Sequence, residues 1–129
     1  MTDKKTEDKA KTAKEENGDI VAWREKHCKP CEKGTKPMDK EKILKSLGLL
    51  EGWGYSNGAI LRTFKFRDHY KTMAFVNAVA WVSHREHHYP MMGVGDNTCC
   101  VRYWTRTING VSENDFICAV KVNDLLATK

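Results

Sequence analysis

The stretch VRYWTRTINGVSENDFICAVKVNDL, residues 101–125, places a strand, a turn and a helix in direct succession. Its first part is rich in β-branched and aromatic residues, which predicts a strand over residues 98–107. Asn109-Gly110 predicts a turn, and Ser112 followed by Asp115 is a capping-box pattern that predicts the start of an amphipathic helix. Alternation along the strand places Cys100, Arg102, Trp104 and Arg106 on one face and Cys99, Val101, Tyr103 and Thr105 on the other.

Three further elements precede this unit. Asp39 is predicted to cap a short helix that ends at Gly52. Asn57-Gly58 predicts a tight hairpin turn within residues 53–66. A long helix is predicted to begin near Asp68 and to stop before Pro90, and residues 91–97 are predicted to form a loop. The long helix carries a broad apolar stripe, expected to contact a sheet and a second helix, that consists of Phe75, Val79, Val82, Met73, Val76 and Ala80.

This order of elements predicts an α+β domain with two layers, in which helices pack on one face of an antiparallel sheet. A chain of 129 residues has room for one such domain, which we predict over residues 21–129. Residues 1–20 are polar and lack aromatic side chains and periodicity. They are therefore predicted to form a disordered charged tail.

Composition argues against several classes of protein. No apolar run is long enough to span a bilayer, and the N-terminal residues lack the apolar segment of a secretory signal, so a cytoplasmic protein without membrane contact is expected. The formal charge of +5 lies outside residues 1–17, where acids and bases cancel. Since the lysines and arginines are scattered, a nucleic-acid partner is disfavoured, whereas a small anionic or electron-rich ligand or an acidic protein fits equally well.

Five cysteines in a chain without a secretory signal favour reduced thiols over a disulfide framework. Cys28 and Cys31 in HCKPC, residues 27–31, have the spacing of half a zinc site. No second CxxC follows them, so two free thiols are the favoured interpretation and a zinc site is the alternative.

The stretch HREHHYPMMGVGDN, residues 84–97, places three histidines within five residues. Imidazole exchanges protons near neutral pH, which makes this stretch a candidate for acid-base chemistry. The other interpretation is a solvated helix end, because His84 and His88, which could face one ligand at i,i+4 spacing on a helix, lack the further acidic or histidine partner that such a site needs.

With these elements in place, the sequence resembles the pterin-4a-carbinolamine dehydratases, also called 4a-hydroxytetrahydrobiopterin dehydratases. The resemblance is carried by HCKPC, by MAFVNAVAW at residues 73–81 and most specifically by residues 101–125. It implies removal of water from a 4a-hydroxytetrahydropterin to give the quinonoid dihydropterin, without a metal or other cofactor. It also implies a homodimer or homotetramer. Some relatives serve as dimerisation cofactors of a transcription factor or as assembly factors, so a non-catalytic binding protein with a protein partner is the alternative function.

The family has a His-His-Pro step after the long helix and a third His after the strand. Alignment on Pro90 places His88 and Tyr89 at the paired histidines, whereas a shift of one residue places His87 and His88 there. Arg106 replaces the third His and Met91 the usual carboxylate, and Asp96 stands where an aromatic residue is common. Arginine does not deprotonate in proteins and cannot serve as a base. The resemblance thus implies His88, His87 and Tyr89 as catalytic residues, and Arg106, Trp104, Pro90 and Glu86 as substrate-binding residues.

Two of these residues also have a structural interpretation. Trp104 is expected more often in a core or a subunit contact than as a stacking surface for a ligand. Arg106 is either the wall of a ligand site or part of a solvated strand edge, and the sequence favours neither.

Overall fold

The computed structural model describes residues 20–127. The predicted disordered tail therefore lies almost entirely outside the described residues, and the domain boundary at residue 21 stays a prediction. No helix in the described part of the chain is long and apolar enough to cross a membrane. The elements are α1 (residues 20–25), α2 (Lys40–Leu47), β1 (Gly54–Ser56), β2 (Ala59–Lys65), α3 (His69–Glu86), β3 (Met91–Val94), β4 (Thr98–Tyr103), a 3-10 turn (Arg106–Ile108) and α4 (Glu113–Ala127).

The four strands form one antiparallel sheet in the order β1-β2-β4-β3. Ile60 pairs with Tyr103 and Phe64 pairs with Cys99, and all four side chains are buried. The neighbouring positions on the opposite face, such as Thr63, are more exposed. Helices α3 and α4 contact each other and β4. The predicted α+β architecture is therefore confirmed.

Local chemistry explains why the elements begin where they do. The Asp39 side chain accepts a hydrogen bond from Lys42 N at 2.8 Å, and Asp68 accepts one from Lys71 N at 2.8 Å. Each carboxylate satisfies an amide that has no partner within its own helix. Asn57 and Gly58 both adopt positive φ, 50° and 77°, as a two-residue hairpin turn of type I′ requires. Both predicted helix starts and the predicted hairpin are confirmed.

The predicted end of α2 at Gly52 is wrong. The helix ends at Leu47, and Gly48 is its C-cap. Two tight turns follow, in which Leu49 N bonds to Ser46 O and Leu50 N bonds to Leu47 O. These turns still bury Leu50, so the apolar spacing continues after the helix has ended.

The predicted loop at residues 91–97 is also wrong in its first half, because Met91–Val94 forms the edge strand β3. Met92 pairs with Val101, and Gly95 N closes the turn by bonding to Thr98 O at 2.8 Å. The backbone pairing with β4 makes this segment a strand, although it is short, contains a glycine and exposes most of its side chains.

Strand β4 ends at Tyr103, four residues earlier than predicted, and an isolated bridge between Thr105 and Gly110 closes the following turn.

The core lies between the sheet and the helices. Phe75, Val79 and Val82 of α3 are buried as predicted, whereas Met73 is exposed and the stripe is narrower than the sequence suggests. Before α4, the predicted turn at Asn109 and the predicted cap at Ser112 are both present, and Ser112 Oγ lies 2.6 Å from Oγ1 of Thr105, two residues after the end of β4.

Candidate functional site

A cavity of about 430 Å³ lies where the end of α3, the 3-10 turn, the start of α4 and residues 28–31 meet. Its volume falls within the range of sites that hold small molecules, roughly 300–1,000 Å³. The lining residues are Cys28, Lys29, Pro30, Cys31, Glu86, His87, His88, Tyr89, Trp104, Thr105, Arg106, Thr107 and Asn114.

The end of α3 places His88 in this cavity. His87 takes the left-handed conformation with φ at 53°, and His88 N bonds back to Ser83 O at 3.1 Å, so the helix ends here. The His88 ring then stacks on Tyr103 with 5.7 Å between the ring centroids and 10° between the planes. Its Nε2 lies 2.5 Å from Asp115 Oδ1. Packing and hydrogen bonding therefore fix the orientation of this imidazole.

Asp115 is fully buried at the start of α4 and is the centre of a small network. Its Oδ2 accepts hydrogen bonds from Thr105 Oγ1 and from Ser112 N, each at 2.9 Å. A carboxylate can only accept, so His88 Nε2 carries the hydrogen of the His88-Asp115 bond. Within residues 20–127, Nδ1 of His88 has no hydrogen-bond partner. This nitrogen is therefore available to a ligand.

Tyr103, on which the His88 ring stacks, is uncharged. The Tyr103 hydroxyl lies 2.9 Å from Ser83 Oγ, and the Tyr103 side chain is fully buried. Burial raises the pKa of Tyr103 far above its ordinary value. Tyr103 thus supports the imidazole without adding a charge beside it.

Arg106 and Trp104 form the outer wall of the cavity. The Arg106 guanidinium lies 4.5 Å from the centre of the Trp104 ring, and its Nη1 donates to the Tyr89 carbonyl at 3.1 Å. Tyr89 and His87 are more exposed than His88. A flat, positively charged group over an aromatic ring offers a surface to an electron-rich ring.

Glu86 binds the N-terminal segment, residues 27–31, to the site. Its carboxylate accepts from Cys28 N at 2.7 Å and contacts His27 Nδ1 at 2.8 Å, and the side chain is 2% exposed. Burial alone would raise the pKa of Glu86, but the Cys28 amide and then His27 outweigh it and hold the pKa below the ordinary value. Both oxygens of Glu86 are therefore already engaged in holding residues 27–28.

Asn114 holds the same segment from the other side. Its side chain accepts from Lys29 N at 3.0 Å and donates to Lys29 O at 2.6 Å. Residues 28–31 thus form a fixed wall of the cavity. Within the described residues, no group of three or more His, Cys, Asp or Glu side chains is arranged to hold a metal ion.

The structure brings together six of the seven residues predicted for the site, and the seventh, Pro90, is not among the lining residues. The sequence did not identify Asp115 as the partner of His88, although it did identify Asp115 as a capping residue. It also did not identify the wall formed by Cys28 to Cys31 and Asn114, for which the HCKPC stretch was the available signal.

Comparison with known proteins agrees with this architecture. The family profile described as Pterin 4 alpha carbinolamine dehydratase matches residues 36–125. A Nitrosomonas eutropha protein named "Putative pterin-4-alpha-carbinolamine dehydratase" is 56% identical over 103 residues, which cover 79% of this chain and 91% of the relative. A protein of the same name from Nitrosospira multiformis is 52% identical over 100 residues, covering 78% and 88%.

A solved structure gives the same result for the fold. The crystal structure described as a transcriptional coactivator/pterin dehydratase from Brucella melitensis superimposes with a TM-score of 0.67 and 28% sequence identity. The match covers 70% of this chain and 98% of the Brucella chain. This chain therefore belongs to the pterin 4 alpha carbinolamine dehydratase family.

Proposed function

We propose that this protein catalyses the dehydration of a 4a-hydroxytetrahydropterin to the quinonoid dihydropterin. The observation that carries the proposal is the His88-Asp115 pair, because it fixes an imidazole in a cavity of small-molecule size and leaves Nδ1 open. Family membership supplies the substrate class. The reaction requires one proton to reach the leaving hydroxyl and another to leave a ring nitrogen, with no net oxidation or reduction.

His88 is suited to the proton transfer. With Nε2–H donated to Asp115, Nδ1 of the neutral ring is a proton acceptor, and His88 is one of the residues that line the cavity. After it takes the proton from the pterin ring, the buried carboxylate stabilises the imidazolium that forms. His87 and Tyr89 line the same cavity and are proposed to hold the hydroxyl that leaves.

Arg106 and Trp104 are proposed to bind the pterin rather than to move protons. The guanidinium remains charged in proteins, so Arg106 cannot replace an imidazole as a base. Its stacking on Trp104 and its bond to the Tyr89 carbonyl instead support a role in holding the electron-rich ring system. Glu86 is proposed to act on the substrate only indirectly, because its carboxylate already holds residues 27 and 28.

Stopped-flow absorbance with chemically generated 4a-hydroxytetrahydropterin tests the proposal. Replacement His88→Ala is expected to reduce the protein-catalysed rate about a hundredfold to ten-thousandfold, the usual effect of losing a positioned acid-base group. His69→Ala is the matched control, because His69 lies at the opposite end of α3 and, among the residues that the structure describes, its side chain bonds only to the Asp96 carbonyl. Equal rates for His88→Ala and wild type would contradict the proposal.

The non-catalytic alternative has one observation in its favour. Arg106 occupies the position where the family has its third histidine, and its guanidinium is engaged by Trp104 and Tyr89. A protein that only binds a pterin or a protein partner would show no rate above background, and partner binding would be unchanged in His88→Ala.

We also propose that the protein is a homo-oligomer, as the resemblance implies. The outer face of α3 exposes Tyr70, Met73 and Trp81 at 80%, 38% and 59%, which is apolar surface that a subunit contact would bury. Light scattering is expected to give a mass of at least two chains, and Trp81→Glu is expected to lower it. A monomer at every protein concentration would contradict this assembly.

A further inference from the structure

Two thiols that the proposed reaction does not use lie in contact beside the candidate site. Cys28 Sγ, on the wall formed by residues 28–31, lies 3.6 Å from Cys118 Sγ on α4. The two residues are far apart in the sequence, so their contact comes from the packing of the N-terminal segment against α4. Neither residue belongs to a group that could hold a metal ion within the described part of the chain.

We propose that Cys28 and Cys118 form a disulfide when the protein meets a peroxide-type oxidant. A disulfide needs the sulfur atoms at about 2.05 Å, so closure requires a relative movement of about 1.5 Å. Rotation of both cysteine side chains about Cα–Cβ can supply this movement. The proposal does not depend on the dehydratase activity.

The surroundings give the two thiols different roles. Cys28 is partly exposed and lines the cavity, whereas Cys118 is fully buried. The hydrogen bond with Cys28 and then burial raise the pKa of Cys118, so its thiolate forms less readily than that of an ordinary cysteine and an oxidant does not attack it first. Cys28 is therefore the residue that an oxidant in the cavity reaches first.

The chemistry balances in two steps. One molecule of hydrogen peroxide oxidises the Cys28 thiol to a sulfenic acid and leaves as one molecule of water. The Cys118 sulfur then attacks the Cys28 sulfur, the S–O bond breaks, and the hydroxyl leaves with the Cys118 proton as a second water. Two thiols are oxidised, and one peroxide is reduced to two waters.

Cys31 is the competing partner for Cys28, because CxxC pairs commonly form disulfides. Asn114 binds the two thiols through different groups. Its backbone carbonyl accepts a hydrogen bond from Cys28 Sγ at 3.4 Å, and its side-chain amide nitrogen donates to Cys31 Sγ at 3.6 Å. The Cys28 thiol therefore faces Cys118 on α4, while Cys31 is bound by the Asn114 side chain. This arrangement favours the link to α4.

Peptide mapping of the full-length protein tests the proposal. The reduced protein is treated with hydrogen peroxide, blocked with an alkylating reagent and digested without reductant. We expect the number of free thiols to fall from five to three and a linked peptide that contains Cys28 and Cys118. A linked Cys28-Cys31 peptide, or retention of all five thiols, would overturn the proposal.

Two variants sharpen the test. Cys31→Ser is expected to form the link as wild type does, because Cys31 takes no part in it. Cys118→Ser is expected to leave the Cys28 sulfenic acid unresolved, so that dimedone labels residue 28 more strongly than in wild type. Dimedone labelling of wild type and Cys118→Ser to the same extent would contradict the role of Cys118. The mapping of wild type remains decisive if a variant folds poorly.

Discussion

Replacement Asp115→Asn removes one charge from the centre of the candidate site and keeps the shape of the side chain. Oδ2 of Asp115 must remain an acceptor, because it faces Ser112 N and Thr105 Oγ1. The asparagine amide nitrogen therefore takes the place of Oδ1 and points its hydrogens at His88 Nε2. The imidazole must then accept at Nε2, which moves its hydrogen to Nδ1 and turns the open nitrogen from an acceptor into a donor.

The expected loss of activity is larger than the loss of stability. A lost acid-base function lowers the dehydration rate by about a hundredfold to ten-thousandfold. The helix cap is retained, so the free energy of unfolding falls only by about 1–3 kcal/mol, the cost of weakening a charged hydrogen bond in a buried network.

Stopped-flow kinetics measures the first quantity and urea unfolding the second. Asp124→Asn is the control, because Asp124 lies on the same helix but pairs with Arg24 at the surface. Asp115→Asn protein that is folded and dehydrates the pterin at the wild-type rate would refute the role assigned to the pair.

Three further predictions concern residues around the pair. Arg106→His is expected to raise the dehydration rate, by up to about a hundredfold, because imidazole exchanges protons and guanidinium does not. An unchanged or lower rate in the stopped-flow assay would contradict the expectation that an imidazole introduced at position 106 can take part in proton transfer. Glu86→Gln is expected to lower the free energy of unfolding by about 1–3 kcal/mol above pH 5. Because the pKa of Glu86 is depressed in the folded protein, the contribution of its carboxylate to stability is lost as the pH falls below about 4.3. Urea unfolding from pH 3 to 7 should therefore show the free energies of unfolding of wild type and Glu86→Gln converging toward acid pH. A difference between the two proteins that stays constant with pH would contradict this. Ser83→Ala is expected to cost about 1–3 kcal/mol in the same unfolding assay, since it removes the hydrogen bond between Ser83 Oγ and the buried Tyr103 hydroxyl, and a change within experimental error would argue against that bond.

The parts of the fold that local chemistry determines were predictable from the sequence. Asp39 and Asp68 cap helices through amides three residues away, and Asn57-Gly58 makes a turn by itself. Strand β3 was missed because its pairing with β4, rather than its own side chains, makes it a strand. The end of α2 was misplaced because tight turns after Leu47 bury Leu50 as a continuing helix would.

In the candidate site, too, local features were predictable from the sequence and long-range contacts were not. The histidines were found because three of them lie within five residues. The bond from His88 to Asp115 spans 27 residues and the bond from Glu86 to Cys28 spans 58. No local pattern encodes such contacts, since they arise only when α3, α4 and the N-terminal segment pack together.

The most direct test of the central claim is the decay of 4a-hydroxytetrahydropterin at increasing concentrations of wild-type protein, followed by stopped-flow absorbance. We predict that the decay rate rises in proportion to protein concentration, because each molecule carries one His88-Asp115 pair open to the pterin. A rate that stays at the buffer value at every protein concentration would contradict the claim that this pair is the proton-transfer centre of a dehydratase.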